Sequence, residues 1–111
     1  MSAITTHVLD TGLGRPAAGV LVRLLEGAGA DDAVLAAATT DDDGRIASLG
    51  PDRVGRGNYR LVFDTAGHFA RTGQPCFFPE VSLSFTVADP EQHLHVPLLL
   101  SPFAYTTYRG S

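Results

Sequence analysis

His93-Leu94-His95-Val96-Pro97-Leu98-Leu99-Leu100 is the stretch on which the fold reading turns. Successive side chains on a strand point to opposite faces, so residues of equal parity share one. Leu94, Val96, Leu98 and Leu100 then make an unbroken aliphatic face, and His93, His95, Pro97 and Leu99 lie on the other. The same test carried outward finds strands at 3–10, 20–26, 34–39, 45–49, 58–64, 81–87 and 105–109. Val20, Val22 and Leu24 share a core face, and Tyr59, Leu61 and Phe63 alternate against Asn58, Arg60, Val62 and Asp64. Turn chemistry separates the strands: Thr11-Gly12, Gly14-Arg15-Pro16, and Asp41-Asp42-Asp43-Gly44, which is expected to fold 34–39 back on 45–49 as a hairpin. Thr65 to Gly73 has no β-branched run and reads as two turns of helix. Eight short strands and one short helix point to an antiparallel β-sandwich.

The 111 residues suit one domain, 1–111, able to form a core without metal or disulfide staples. Cys76 stands alone, so no internal bridge marks an oxidising compartment. No apolar run approaches the ~20 residues of a membrane span, and neither a signal peptide nor a peroxisomal Ser-Lys-Leu ending is read. The expected location is the cytoplasm. A net charge of −4, with eight scattered arginines and no lysine, argues against a nucleic-acid surface.

Parity also directs the histidines. With Ile4 and Val8 as a core pair on the first strand, Thr5, His7 and Leu9 face outward, as His93 and His95 do on the seventh. An outer face that mixes Leu9, Pro97 and Leu99 with histidines is too apolar to be simply solvated and is expected to meet another subunit. His93-x-His95 could present two imidazoles to zinc, but no third ligand stands beside them. The aspartate triplet lacks the alternating ligands and closing glutamate of a calcium loop. Arg45, just after that triplet, either neutralises it or serves a site. His68, on the helix, is expected at the surface. Ser111 has no Gly-x-Ser-x-Gly elbow around it. The chain closes on the polar tetrapeptide Tyr108-Arg109-Gly110-Ser111, reached through Tyr105, Thr106 and Thr107.

Two segments carry a resemblance: Thr5-Thr6-His7-Val8-Leu9-Asp10-Thr11 with Gly14-Arg15-Pro16-Ala17, and His95-Val96-Pro97-Leu98-Leu99-Leu100-Ser101-Pro102 running to Tyr108-Arg109-Gly110-Ser111. Over essentially the whole chain they resemble the 5-hydroxyisourate hydrolases, the enzyme branch of the transthyretin-like family. Asp43-Gly44-Arg45, Tyr59-Arg60-Leu61 and Phe77-Phe78-Pro79-Glu80 agree; Leu94 departs, standing where many members carry an aromatic residue. The resemblance implies a transthyretin-like sandwich of two four-stranded sheets, assembled as a homotetramer with a central channel. It implies catalytic roles for His7, Arg45, His95 and Ser111, with Tyr108 lining the same substrate-binding site. It also implies hydrolytic opening of 5-hydroxyisourate to 2-oxo-4-hydroxy-4-carboxy-5-ureidoimidazoline in urate degradation, without a cofactor or metal.

That chemistry suits the residues. An imidazole with pKa near ~6.5 can take a proton from water, and a planar, permanently charged guanidinium suits an oxyanion. Which of His7 and His95 is the base stays open, as does whether Ser111 acts by hydroxyl or carboxylate. Two other readings share the fold: a carrier of a small ligand without turnover, and a purely structural interaction domain.

Overall fold

A computed structural model describes residues 2–27 and 33–110. Two sheets pack face to face. The first contains β1 (Ile4–Asp10), β2 (Arg15–Pro16), β5 (Arg45–Ile46), β8 (Leu94–Ser101) and β9 (Ala104–Thr107), in the order β2-β1-β8-β9, with β5 also paired to β1. The second runs β4 (Ala33–Thr39), β3 (Leu21–Glu26), β6 (Gly57–Phe63), β7 (Val81–Val87), and α1 (Thr65–Thr72) connects β6 to β7. Between the sheets lie Ile4, Val8, Leu98 and Leu100 from one side and Val22, Leu24, Leu61 and Phe63 from the other, all buried as their parity predicts. Each such side chain contributes roughly 1.5–3 kcal/mol on leaving water.

Three expectations about the sheets are corrected. The sandwich is antiparallel except where β1 and β8 run parallel, Ile4 opposite Leu94 through Asp10 opposite Leu100. Parity fixes which face a strand buries but not which neighbour it takes. Second, 34–39 and 45–49 form no hairpin: β4 pairs β3 in one sheet, while the strand after the turn, only Arg45–Ile46, pairs β1 in the other. The Asp41–Gly44 turn satisfies itself, since the Asp41 carboxylate accepts from the N–H groups of Asp43 and Arg45 at 2.9 and 3.0 Å. Its glycine then reaches across to β1. Gly44 sits at φ +76°, its carbonyl accepts from Val8 N at 2.7 Å, and a Cβ there would lie 2.3 Å from the Val8 carbonyl oxygen. A third difference is the additional two-residue strand β2, on the same edge of β1 as β5.

α1 starts at Asp64, whose carboxylate accepts from Gly67 N, and stops at Gly73, left-handed at φ 67°. Gln74 N donates to Phe69 O and Gly73 N to Ala70 O, the paired closure that a left-handed C′ glycine allows. His68 is not at the surface. It is 3% exposed, beside buried Phe69, with Nε2 2.7 Å from Asp10 Oδ2. Gln74 Nε2 and Leu13 N donate to the same carboxylate. Helix and β1 are thereby locked together, and removing one partner of such a buried pair typically costs about 3–5 kcal/mol.

Burial by itself raises the Asp10 pKa, but the bonds from His68, Gln74 and Leu13, with the His68 charge, outweigh it and hold the carboxyl below its ordinary value. The folded state therefore keeps Asp10 ionised where the unfolded chain has begun to protonate. The stability it contributes is complete above the unfolded value of ~3.9 and is lost as pH falls through the lower, folded value. Asp10→Asn should start less stable yet lose less on acidification, by up to about 1.4 kcal/mol per pH unit. Urea midpoints taken from about pH 6 to about pH 3 measure this; parallel curves for the two proteins would exclude Asp10 from the acid transition.

Candidate active site

The β1–β8 register sets Thr5 opposite His95 and His7 opposite Pro97, while β5 sets Arg45 opposite His7 on the other side. These side chains share the outer face of the first sheet. Arg45, Thr5, His93 and His95, with Thr6, Ile46 and Ala47, line a hollow of about 380 Å³. His7 adjoins it, half-buried, with Nε2 2.9 Å from the Asp43 carbonyl oxygen. A carbonyl only accepts, so His7 Nε2 carries a proton, and in the neutral ring the free lone pair is on Nδ1. Among the described residues no ion pair joins Arg45 to Asp41, Asp42 or Asp43. Its guanidinium belongs to the hollow rather than to the acidic turn.

His95 is held on both flanks. Thr5 Oγ1 lies 2.9 Å from His95 Nδ1, and also 3.1 Å from His93 Nε2. Opposite, Gly110 forms a bridge with His95, its N–H donating to the His95 carbonyl at 2.7 Å, and a Cβ on Gly110 would lie 2.6 Å from His95 Cδ2. Only glycine allows the chain to pass that close. Burial, then the charges of Arg45, His7 and His93, lower the His95 pKa, so the imidazole is neutral at neutral pH.

His7, Arg45 and His95 are thus brought to one face. Tyr108 is not brought into this hollow: it is 58% exposed and lines a separate groove of about 350 Å³ with Ser82, Phe85, Val96 and Arg109. Ser111 lies outside the described residues. Thr5 and Gly110 are the residues that sequence reading missed. Thr5 was placed outward by parity, but only the parallel register puts it opposite His95; Gly110 stood within the closing tetrapeptide without a partner to identify it.

Comparison with known proteins identifies the family. The HIUase/Transthyretin family matches residues 4–110. A protein of Caulobacter vibrioides named 5-hydroxyisourate hydrolase is 44% identical over 115 residues, covering all of both chains. The solved structure of Klebsiella pneumoniae 5-hydroxyisourate hydrolase superposes with a TM-score of 0.87 at 36% identity over 100% of both chains. Sea bream transthyretin, solved in complex with thyroxine, superposes at 0.84 with 30% identity over 97% of this chain and 94% of that one. With two sheets in this order and a match spanning almost every residue, the chain belongs to the HIUase/Transthyretin family.

Proposed function

We propose that the chain hydrolyses 5-hydroxyisourate to 2-oxo-4-hydroxy-4-carboxy-5-ureidoimidazoline, in the course of urate degradation. The observation that carries this reading is the convergence of Arg45, His7 and His95 on one sheet face through the β5–β1–β8 register. A protein that only binds a small ligand, as sea bream transthyretin is seen in complex with thyroxine, needs a shaped cavity. Two imidazoles and a guanidinium around one hollow instead suit proton transfer and charge stabilisation.

In this mechanism an imidazole takes a proton from water as its oxygen attacks the carbonyl carbon of the cyclic amide. Arg45 stabilises the resulting oxyanion, the C–N bond breaks, and the departing nitrogen takes up a proton. His95, neutral because of its burial and its cationic neighbours, is suited to the first transfer. His7, with its lone pair on Nδ1, would orient substrate or relay the proton from His95 to the departing nitrogen. Ser111 is assigned by family resemblance to position water or substrate, and the bridge of Gly110 to His95 supports that assignment. Tyr108 would join the site only in the assembled oligomer, a homotetramer in this reading. The half-buried Leu9 and Leu99 on the same outer face support such an assembly.

Urate treated with urate oxidase supplies 5-hydroxyisourate, whose ultraviolet decay the protein should accelerate. His95→Asn and His7→Asn should each reduce kcat by about 10²-fold or more. A decay rate unchanged by the wild-type protein would end the hydrolase reading.

Because the Arg45 charge helps to depress the His95 pKa, Arg45→Gln should shift the acid limb of kcat/KM towards higher pH, besides lowering its maximum by about 10²–10³-fold. Neutral His95 is the active form, so activity falls as pH drops through its pKa, and raising that pKa brings the fall earlier. An acid limb in the same place would remove His95 as the group that titrates.

Sedimentation at micromolar concentration should give a tetramer. A monomer that retains full activity would show that one chain carries the whole site.

A further inference from the structure

The Thr5 hydroxyl lies within hydrogen-bond distance of two imidazoles, His95 Nδ1 at 2.9 Å and His93 Nε2 at 3.1 Å. A hydroxyl has one proton to give, and lone pairs with which to accept. It can donate to only one of the two rings, whereas it can accept from either. Thr5 Oγ1 thus joins His93 and His95 through a single oxygen atom.

We propose that Thr5 is a positioning residue that fixes the tautomer of His95: His95 Nδ1–H donates to Thr5 Oγ1, Thr5 Oγ1–H donates to His93 Nε2, and His95 Nε2 keeps the lone pair that receives the proton of water. This deepens, and rests on, the hydrolase reading. Two observations select this direction over its reverse. First, Nδ1 and Cδ2 flank the ring carbon attached to Cβ, and both flanks are held, by Thr5 and by Gly110. The Cε1–Nε2 end of the ring thus points away from the strand, and no described residue bonds Nε2. Second, among the described residues the hollow is lined by Arg45, which can only donate, and by no carboxylate beside Thr5, Thr6, Ile46, Ala47 and the two histidines. The reverse chain would put a proton on His95 Nε2 and leave that end of the ring without a base.

His93 is exposed, so it is the open end of the chain. Arg45 on β5, His7 on β1 and His93, just before β8, are the charged and titratable groups among the described residues that act on His95 in this face.

NMR of the isotope-labelled imidazole nitrogens reads the tautomer directly, and kinetics on the same proteins read its consequence. His95 should be Nδ1–H in the wild type and in Thr5→Ser, which keeps the hydroxyl. Thr5→Val, of nearly the same shape, should lose that preference. It should lower kcat by about 10-fold or more with KM within about 2-fold, while Thr5→Ser stays within about 3-fold of wild type. Wild-type His95 found as Nε2–H overturns the proposal, and so does Thr5→Val with wild-type kcat. Should the valine variant not fold, the wild-type and serine spectra decide by themselves. Absence of hydrolase activity in the wild type is a separate failure: it ends the hydrolase reading, while the spectra still report whether Thr5 sets the tautomer.

Discussion

Everything at the candidate site depends on the parallel pairing of β1 with β8. The two strands come from opposite ends of the chain, so no short turn dictates their alignment. What aligns them is burial: Ile4 and Val8 on one strand and Leu94, Leu98 and Leu100 on the other must all face the second sheet. A slip of one residue would turn every side chain of the displaced strand over. It would bring His95 into the core and expose Leu94 and Leu98, at a cost of several kcal/mol in lost burial. The polar face is specified by the apolar one behind it. Thr5 stands against His95 because Ile4 stands against Leu94.

The opposite edge of β1 is fixed by different means. Gly44 gives its carbonyl to Val8 and leaves no room for a Cβ, so β5 lies close enough for Arg45 to face His7. At the end of the same strand the Asp10 carboxylate takes hydrogen bonds from His68 and Gln74, tying β1 to α1. A strand held along one edge, over part of the other and at one end keeps its side chains within the small tolerances that proton transfer requires. The burial behind this face also acts on its chemistry, because desolvation is the first cause of the lowered His95 pKa and the neighbouring cations add to it.

Period-two alternation made most of the strands and the faces of β1, β3, β6 and β8 legible in the sequence, because burial is a property that each strand displays by itself. It could not reveal partners. The supposed hairpin of 34–39 with 45–49 failed for that reason: the Asp41–Gly44 turn is well marked, but a turn that satisfies its own backbone does not say which sheet the next strand joins. His68 failed for a related one. A histidine beside Phe69 on a short helix has no strand parity to sort it, and its burial depends on Asp10, fifty-eight positions away. Family resemblance pointed to His7, Arg45 and His95, with parity adding the outward face of the two histidines, while Thr5 and Gly110 needed coordinates, since what marks them is distance to one ring.

Pro97 explains why the closing segment meets His95 at a single bridge. The pairing of Leu98 with Thr107 and of His95 with Gly110 belongs to one register, yet β9 ends at Thr107. Between them Pro97 offers no N–H, and its carbonyl is taken by the Thr107 hydroxyl at 2.8 Å. That carbonyl points to the β9 side, so the missing donor costs the β9 ladder and leaves the pairing with β1 intact. Among the described residues, the segment that approaches His95 is consequently held by the Gly110 N–H to His95, the Thr107 hydroxyl to Pro97, and Arg109 to Gln92 at 2.8 Å. His95 rests on a rigid strand at its Nδ1 edge and on a lightly tethered one at its Cδ2 edge, so its orientation is set chiefly from the Thr5 side.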